Sequence, residues 1–311
     1  MTLTATAPAP KATRTAKPRR KRSVWSYWRF YLALSPFYLI FLVFGLYPVA
    51  STILLAFQKW DGLGTRQMVG LQNFRFLLED STFWLSLWNT VVLFFMSTVP
   101  TLAIALALAV MLHSAVRLKG VYRIAYFIPN ITSLVAAAIF FAAVFSTNFG
   151  LINSVLRSLG LPTEDWLGQP WGIKIAISTM IVWQWTGYNT IIYLAGLQAI
   201  PTEQYEAAKV DGAGPFRTFF SITLPQLRPV VLFTVIMSTI GGLQTFTEPQ
   251  VMVGNTGGTG QSGLTVVMYF YNQAFGANDY GYAAAIALSI FMLVLLFTAI
   301  NWKLLGGRGR Q

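Results

Sequence analysis

Few residues of this 311-residue chain could act as catalysts or as metal ligands. The sequence has no cysteine and one histidine, His113, so it offers neither a thiolate nucleophile nor a His/Cys metal cluster. The pattern G-x-x-x-x-G-K-[ST], whose backbone amides bind nucleotide phosphates, is also missing. We predict that the chain is not an enzyme and that it needs no cofactor or metal.

Several polar and aromatic residues lie inside long apolar stretches, where they could bind a polar ligand. Trp185 and Asn189 provide a ring and an amide in one stretch. Gln244 and Phe246 provide the same combination in another, and a sugar is bound by such groups together. The alternative is that these side chains hold neighbouring helices together through hydrogen bonds. The candidate binding residues are Trp185, Tyr188, Asn189, Gln244, Phe246 and Glu248.

The composition predicts an all-α membrane protein. Hydrophobic residues make up 55% of the chain and charged residues only 10%, whereas an ordinary soluble domain is about a quarter charged. The apolar residues are concentrated in six runs of roughly 20 residues, which is the length of a helix that crosses a bilayer. The predicted spans are approximately residues 30–57, 84–112, 124–145, 175–197, 229–247 and 282–302.

The net charge of +12 is distributed unevenly around these spans. Of the 22 Lys and Arg residues, 17 lie in the two termini, between spans two and three, or between spans four and five. Cytoplasmic loops are enriched in Lys and Arg, so this asymmetry predicts that both termini are cytoplasmic. The basic N-terminal tail could instead bind nucleic acid, but beside a membrane span it is more typical of a topology signal.

The predicted topology divides the chain into successive regions. A basic, disordered cytoplasmic tail (1–29) is followed by the first span (30–57), an extracytoplasmic loop (58–83), a core of five spans (84–305) and a short cytoplasmic tail (306–311). The core contains a polar cytoplasmic segment, residues 201–228, between spans four and five.

This polar segment has the pattern of two short helices joined by a turn. Thr202 can cap the first helix, and Gly212 can end it in the left-handed conformation. Proline is tolerated at the first position of a helix, so Gly214-Pro215 predicts a second helix, which ends at Leu224-Pro225. From these features alone, the segment is either an elbow that another protein contacts or an ordinary connector.

The same segment carries a more specific pattern. Its residues Glu206-Ala207-Ala208, Asp211-Gly212-Ala213 and Leu224-Pro225 resemble, in order and spacing, the cytoplasmic EAA signature of ABC importer permeases. In that family the signature forms a coupling helix, which sits in a groove of a separate ATPase subunit and transmits its closure. The resemblance therefore implies that the ATPase contacts are Glu206, Ala207, Ala208, Asp211 and Gly212.

Three further segments resemble the sugar-type branch of this family, which includes maltose and glycerol-3-phosphate permeases. They are Val69–Phe74, similar to G-x-x-N-[FY]; Thr245–Glu248 with Gly257-Gly258, similar to F-x-x-x-x-x-x-T-x-G-G-P; and Tyr271–Phe275, similar to Y-x-x-A-F. Thr259 departs from the pattern, because the branch has proline after Gly-Gly. The resemblance covers about residues 30–305.

The resemblance implies the type I ABC importer permease fold, with six transmembrane helices, in a bacterial or archaeal cytoplasmic membrane. The implied partners are a second homologous permease subunit, two ATPase subunits, an extracytoplasmic solute-binding protein and the lipid bilayer, with no nucleic acid. The expected function is to form half of the import pathway for a di- or oligosaccharide. A glycerol-3-phosphate or polyol substrate is the alternative within the family. An ion-coupled secondary transporter and a membrane-embedded enzyme are the alternatives outside it.

Overall fold

The computed structural model describes residues 28–115 and 119–306. The predicted basic tail before residue 28, the basic residue Arg117 and the last five residues lie outside the described residues. The chain divides into two compact units, one up to residue 51 and one from residue 52 onward. Apart from one pair of two-residue strands, the described elements are all helical, which confirms the predicted all-α class.

The first predicted span is helical but not uniform. It runs through α1 (Trp28–Ile40), a π turn (Phe41–Leu46) and α2 (Tyr47–Leu55). A proline ring clashes with the carbonyl group one turn earlier in a regular α-helix, and a π turn widens the helix at that point. Pro48 is the second residue after the π turn, so it lies where the wider turn gives its ring room.

The predicted loop before the second span contains short elements. Strands β1 (Gln58–Lys59) and β2 (Gln67–Met68) pair antiparallel, and α3 (Gln72–Glu79) follows them. Asn73 Nδ2 donates to the carbonyl oxygens of Ala56 and Gln58, both at 2.9 Å, and so ties α3 to the start of the strand pair. The second span is α4 (Ser81–Ala115), a single helix as predicted.

The third span differs from its prediction as one helix over residues 124–145. It consists of α5 (Lys119–Ile131) and α6 (Leu134–Val144), which are bent by 100° at the two residues between them. Pro129 has no amide hydrogen to donate within α5, and the hydroxyl of Ser133 accepts from the amide of Ala136 as an N-cap. The chain therefore ends one helix and starts another inside an apolar run.

The fourth predicted span lies at the centre of the bundle. It is α8 (Pro170–Gln198), which follows the short helix α7 (Leu151–Ser158). α8 has more buried residues than any other described helix, and it packs against both α4 and α5. At Gly187 it lies so close to α5 that a Cβ atom would be 1.6 Å from the carbonyl oxygen of Tyr126, so only glycine fits.

The fifth span is continuous with the second helix of the elbow. α9 (Thr202–Val210) is followed by α10 (Pro215–Thr218), a π turn (Phe219–Thr223) and α11 (Leu224–Gly242). The predicted helix end at Leu224-Pro225 is therefore wrong, because Pro215–Gly242 forms one helical stretch. Pro225 is the second residue after the π turn, the same arrangement as at Pro48, and the wider turn again accommodates its ring.

The glycine-rich region before the last span contains two short helices. They are α12 (Thr247–Val253) and α13 (Val266–Tyr271), with a 3-10 turn (Thr259–Gln261) between them and a π turn (Asn272–Gly276) after them. The last span is α14 (Tyr280–Asn301), which agrees with its prediction within two residues and continues into a π turn (Trp302–Gly306). α14 packs against α3, α11 and α13.

The number of spans is supported in part. Among the described residues, four stretches are long and apolar enough to cross a membrane, and the bent α5–α6 pair is a fifth. The four are Phe30–Leu55, Ser81–His113, Pro215–Gly242 and Tyr280–Leu304. α8 is less apolar, although its 29 residues would extend over about 43 Å. Its polar residues Gln184 and Asn189 are buried inside the chain, and six spans remain a prediction.

Asp80, at the joint between α3 and α4, ties these helices to α13 and α14. The hydroxyl groups of Tyr269 and Tyr282 both donate to its Oδ2 atom, the second at 2.6 Å. The amide of Thr82 donates to Oδ1 at 2.8 Å. Burial alone would raise the pKa of Asp80, but the hydrogen bonds outweigh burial and hold the pKa below its ordinary value of 3.8. The ionised carboxylate therefore stabilises the fold.

Replacing Asp80 by asparagine is expected to lower the free energy of unfolding at neutral pH by about 1 to 2 kcal/mol, because hydrogen bonds to an ion are stronger than those to an amide. A group whose pKa is lowered by folding stabilises the fold above its unfolded pKa. It loses that contribution as the pH falls through the folded pKa. The free energies of unfolding of the unmodified chain and of Asp80→Asn are measured in detergent. Their difference should be constant above about pH 5 and should shrink below pH 3.8.

The exposed carboxylate Asp61 provides the control for this experiment. Asp61→Asn should leave the free energy of unfolding at neutral pH within about 0.5 kcal/mol of that of the unmodified chain. If the free energy of unfolding of Asp80→Asn is lower than that of the unmodified chain by the same amount near pH 3 as at neutral pH, the assigned role of the charge is contradicted.

Candidate functional site

The turn between α9 and α10 has the geometry that its sequence predicts. Gly212 follows α9 in the left-handed conformation, with φ at +72°. The amide of Ala213 donates to the carbonyl oxygen of Ala208 at 2.8 Å, which is the long bond of a Schellman turn. α10 then begins at Pro215, as predicted. The two helices therefore form a defined elbow.

The start of α9 differs from the prediction. Pro201 occupies the capping position, and no side chain caps the helix. Thr202 is already the first helical residue, so its hydroxyl is past the position from which a cap accepts the amides of the first turn. Glu203 lies in that first turn, where its charge favours the positive end of the helix dipole.

Most of the predicted ATPase contacts lie on the outer side of the elbow. The exposed ones are Glu206, Ala207, Asp211 and Gly212. Apart from Gly212 and its chain neighbours, no atom of the described residues lies within 4 Å of the position that a Cβ atom would take at Gly212, so another backbone could approach closely there. Ala208 differs, because only 7% of its surface is exposed. Its small side chain lets α9 lie close to the bundle.

Two large apolar side chains flank this exposed edge. Val210 is 88% exposed and Phe216 is 81% exposed, one on each side of the turn. Apolar side chains beside small residues form the kind of surface that another protein covers. The elbow therefore has a backbone that another protein can approach closely and exposed apolar side chains that such a protein would cover.

Polar contacts that the sequence pattern does not indicate join α9 to α11. Tyr205 Oη and Thr223 Oγ1 are 3.2 Å apart, and Gln226 Nε2 donates to Gln204 Oε1. The ring of His113, near the end of α4, lies 6.1 Å from the ring of Tyr205 between centroids. A displacement of α9 would therefore be passed on to α11.

On α8, the candidate binding residues differ in accessibility. Trp185 is 41% exposed, and its ring lies edge-on to the half-buried ring of Tyr188, with 6.0 Å between centroids. Asn189 is 4% exposed, and its Nδ2 atom donates to the carbonyl oxygen of Trp185 at 3.0 Å. Gln184 is also buried, with its Nε2 atom 3.4 Å from the carbonyl oxygen of Thr132 at the α5–α6 bend. The ring pair is open, whereas both amides are enclosed.

The second group of candidate residues lies between α11 and α12. Gln244 is exposed, and the ring of Phe246 lies 5.2 Å from that of Tyr271 between centroids. Glu248, in the first turn of α12, is only 7% exposed. Within the ranges that the structure describes, no hydrogen bond or ring contact joins this group to the ring pair of α8. The isolated chain therefore presents two separate groups.

A buried polar pair on α4 holds the glycine-rich region in place. Asn89 Nδ2 donates to the carbonyl oxygens of Gln261 and Leu264, at 2.8 and 3.1 Å. The hydroxyl of Thr90 accepts from the amide of Val266 at 2.8 Å. The sequence signal for this contact is two adjacent polar residues in an apolar span, since such residues face protein rather than lipid.

Two open apolar grooves lie on the helices around the elbow. One, of about 530 Å³, is formed by α4, α10 and the π turn after α10, and the other, of about 480 Å³, by α8 and α11. Neither is lined by a candidate binding residue. Their apolar walls suit lipid or another helix rather than a polar ligand.

Comparison with known proteins gives a consistent set of similarities. Residues 76–303 match the profile described as binding-protein-dependent transport system inner membrane component. The chain is 37% identical over 278 residues to an arabinooligosaccharides transport system permease protein of Bacillus subtilis (strain 168), covering 89% of this chain and 88% of that protein. It is 37% identical over 281 residues to a lactose transport system permease protein of Rhizobium radiobacter, covering 88% and 92%. It is 34% identical over 282 residues to a trehalose/maltose transport system permease protein of Thermococcus litoralis, covering 90% and 94%.

The fold is similar to that of chains in two solved transporter structures. One is a bacterial ABC transporter involved in the import of the acidic polysaccharide alginate, with a TM-score of 0.80 over 92% of this chain and 98% of that chain. The other is a bacterial alginate ABC transporter in complex with an alginate pentasaccharide-bound periplasmic protein, with a TM-score of 0.78 over 89% and 94%. Both are 21% identical in sequence, so the similarity shows the fold alone.

Proposed function

Because the chain belongs to the family of binding-protein-dependent transport system inner membrane components, we propose that it is the permease subunit of an ATP-driven oligosaccharide importer. The match over residues 76–303 carries this proposal, and the exposed elbow agrees with it. As a member of this family the chain is a membrane-embedded transport component and not an enzyme. Family membership also favours this function over an ion-coupled secondary transporter.

A di- or oligosaccharide is the proposed substrate class. Relatives named for arabinooligosaccharides, lactose and trehalose/maltose cover most of this chain. The open ring pair of Trp185 and Tyr188 would supply a stacking face, and the exposed amide of Gln244 would supply hydrogen bonds. We infer that both groups face one pathway, which a second permease subunit completes. Glycerol-3-phosphate or a polyol is the alternative substrate.

The elbow is proposed to receive the motion of a separate ATPase subunit. Its exposed edge consists of Glu206, Ala207, Asp211 and Gly212, with Val210 and Phe216 beside it. Ala208 is proposed to seat α9 on the bundle rather than to contact the ATPase. The contact between Tyr205 and Thr223 connects α9 to α11, and α11 ends two residues before Gln244. Closure of the ATPase would thus move a pathway residue through a single helix.

The proposed assembly contains this chain, a second homologous permease subunit, two ATPase subunits and an extracytoplasmic solute-binding protein. The family description itself names a binding protein and the inner membrane. The enrichment of Lys and Arg at both termini supports a cytoplasmic location for them. The elbow would then lie on the cytoplasmic side, where an ATPase can reach it.

Substrate binding by the cognate solute-binding protein tests the proposed function together with uptake in cells. The binding protein is expected to bind a di- or oligosaccharide at least about tenfold more tightly than glycerol-3-phosphate or a polyol, a difference of about 1.4 kcal/mol. Cells that lack this chain should lose uptake of the same sugar and regain it when the chain is restored. Unchanged sugar uptake in the deleted cells would contradict the proposal.

A further inference from the structure

α7 and the loop after it, residues 159–169, form a platform between α6 and α8 that one buried side chain holds together. Asn153 is fully buried, and its Nδ2 atom donates to the carbonyl oxygens of Thr147 and Glu164 at 2.9 and 2.8 Å. Its Oδ1 atom accepts from Trp166 Nε1 at 3.0 Å and from the amide of Glu164 at 3.2 Å. One amide side chain thus makes four hydrogen bonds, its full capacity, and fixes α7 to the loop that leads into α8.

This platform lies level with the first turn of α8. Ile152 of α7 and Trp166 pack against the same apolar cluster as Ile173, which is the fourth residue of α8. The ring of Trp166 also lies 5.8 Å from the ring of Phe145, directly after α6. α7 is therefore held at the ends of two apolar helices and not beyond them.

The exposed surface of α7 has an apolar edge and a polar edge. Residues four apart share one side of a helix, and Leu151, Val155 and Leu159 are 61%, 50% and 68% exposed. Phe149, just before the helix, extends this edge and is 92% exposed. The exposed residues of the other edge are Ser154 and Arg157, whereas Ser158, two turns after Leu151, lies beside the apolar edge. This division is typical of a helix that lies in the plane of a membrane surface.

Charged and aromatic residues around α7 favour a lipid surface as the partner. Trp171, in the first turn of α8, is 62% exposed, and the buried side chain of Lys174 places its Nζ atom 5.7 Å from the centroid of that ring. Tryptophan and lysine in this arrangement are typical of the headgroup level of a bilayer. Arg157 is exposed, so it is the cation of this region that can reach lipid phosphate groups.

The acidic residues of this region are engaged within the loop. Asp165 Oδ1 accepts from the hydroxyl of Thr147 at 2.5 Å and from the amide of Gly168 at 3.1 Å. Glu164 Oε2 lies 3.5 Å from Gln169 Nε2. Neither carboxylate belongs to the apolar edge, so that edge carries no charge that would oppose insertion.

We propose that α7 is an interfacial helix, which inserts its apolar edge into the headgroup region of the membrane at the end where α8 begins. The edge consists of Phe149, Leu151, Val155 and Leu159. The inserted helix would hold the platform at a fixed depth while the elbow moves α11. The proposal uses the membership of the chain in a membrane family. The proposed topology places the start of α8 on the extracytoplasmic side, so the assignment of α7 to the outer leaflet is the one part that rests on that topology.

Single cysteines can test this proposal, because the sequence contains no cysteine of its own. Val155→Cys and Leu159→Cys report on the apolar edge, and Ser154→Cys, about 100° around the helix from Val155, is the matched control on the polar edge. Each full-length variant is assembled with cysteine-free partner subunits and labelled with an environment-sensitive fluorophore. The labelled complexes are placed in nanodiscs of phosphatidylcholine and phosphatidylglycerol. Quenching by a doxyl-labelled lipid is compared with quenching by iodide in solution.

The labels at residues 155 and 159 are expected to be quenched severalfold more by the doxyl lipid than the control label at residue 154, and iodide should show the reverse order. Equal quenching of all three labels by iodide, with none by lipid, would overturn the proposal. Protection of the apolar edge from iodide only when sugar-loaded solute-binding protein is added would also overturn it, since the edge would then be a protein docking surface.

Discussion

Replacing Gly212 by proline is expected to release the ATPase subunit from the complex and to abolish ATP-driven uptake. Gly212 adopts a φ of +72°, whereas proline fixes φ near −65°. The amide of Gly212 also donates to the carbonyl oxygen of Lys209 at 3.1 Å, a bond that proline cannot make. The turn would open and displace the exposed edge of the elbow. We expect at least about a tenfold loss of co-purified ATPase, the equivalent of about 1.4 kcal/mol.

A charge reversal at the same surface distinguishes the loss of a direct contact with the ATPase from the loss of the turn geometry. Glu206→Lys leaves the turn intact but changes an exposed charge on the outer side of α9, so ATPase association and uptake should both fall. Gly214→Ala is the matched control, because Gly214 has a φ of −70° and the added Cβ would meet no atom within 4 Å from the described part of the chain beyond its immediate neighbours. A Gly212→Pro chain that reaches the membrane and still binds the ATPase would show that the elbow is not the coupling surface.

Replacing Gln244 by alanine is expected to reduce sugar uptake by about tenfold to a hundredfold while subunit assembly survives. Gln244 is exposed two residues after the end of α11 and two residues before Phe246, whose ring contacts that of Tyr271. Its loss would leave a sugar hydroxyl without a partner, at a cost of about 1 to 3 kcal/mol. Uptake of labelled sugar and co-purification of the partner subunits are measured on the same membranes.

Asn189→Ala is expected to reduce uptake as well, through its effect on the neighbouring ring. The Asn189 amide binds the carbonyl oxygen of Trp185, so its loss would loosen the turn that carries the stacking face. Gln250→Ala is the matched control, because that amide binds Asn255 at 3.1 Å outside the pathway groups. Undiminished uptake in both Gln244→Ala and Asn189→Ala would contradict the proposed pathway.

Local patterns were enough to predict some elements of the fold. α4 and α14 are long, predominantly apolar runs without Asp, Glu, Lys or Arg, so hydropathy alone places them. The turn at Gly212 depends on one residue and two backbone hydrogen bonds, and it was predicted for that reason. The 100° bend between α5 and α6 was missed, because the apolar run continues through it and the packing of α6 on α12 decides its direction.

At the elbow, a proline led to the prediction of a helix end that the structure does not have. Leu224-Pro225 reads as a helix end when the helix is assumed to be regular, but a π turn keeps α10 and α11 continuous. The number of residues per turn is set by the surrounding packing and cannot be read from a proline alone. The same limit applies to Pro48, where a π turn also precedes the ring.

The motif residues of the site were easier to predict than the contacts that hold them in place. The outer edge of the elbow follows from short spacing, but the burial of Ala208 depends on how α9 docks on the bundle. The hydrogen bond from Asn89 joins residues 172 positions apart, and no local pattern identifies such a partner. The proposed pathway groups, one on α8 and one between α11 and α12, remain separate in one chain, so their shared role is a property of the proposed assembly.

Uptake with and without the ATPase subunits is the most direct test that this chain is a permease driven by a separate ATPase. Proteoliposomes containing the chain, its partner permease, the ATPase subunits and the solute-binding protein should accumulate labelled oligosaccharide only when ATP is present on the ATPase side. Omitting the ATPase subunits should reduce accumulation to the background of empty vesicles. Accumulation that continues without any ATPase and follows a proton or sodium gradient would contradict this function and identify a secondary transporter.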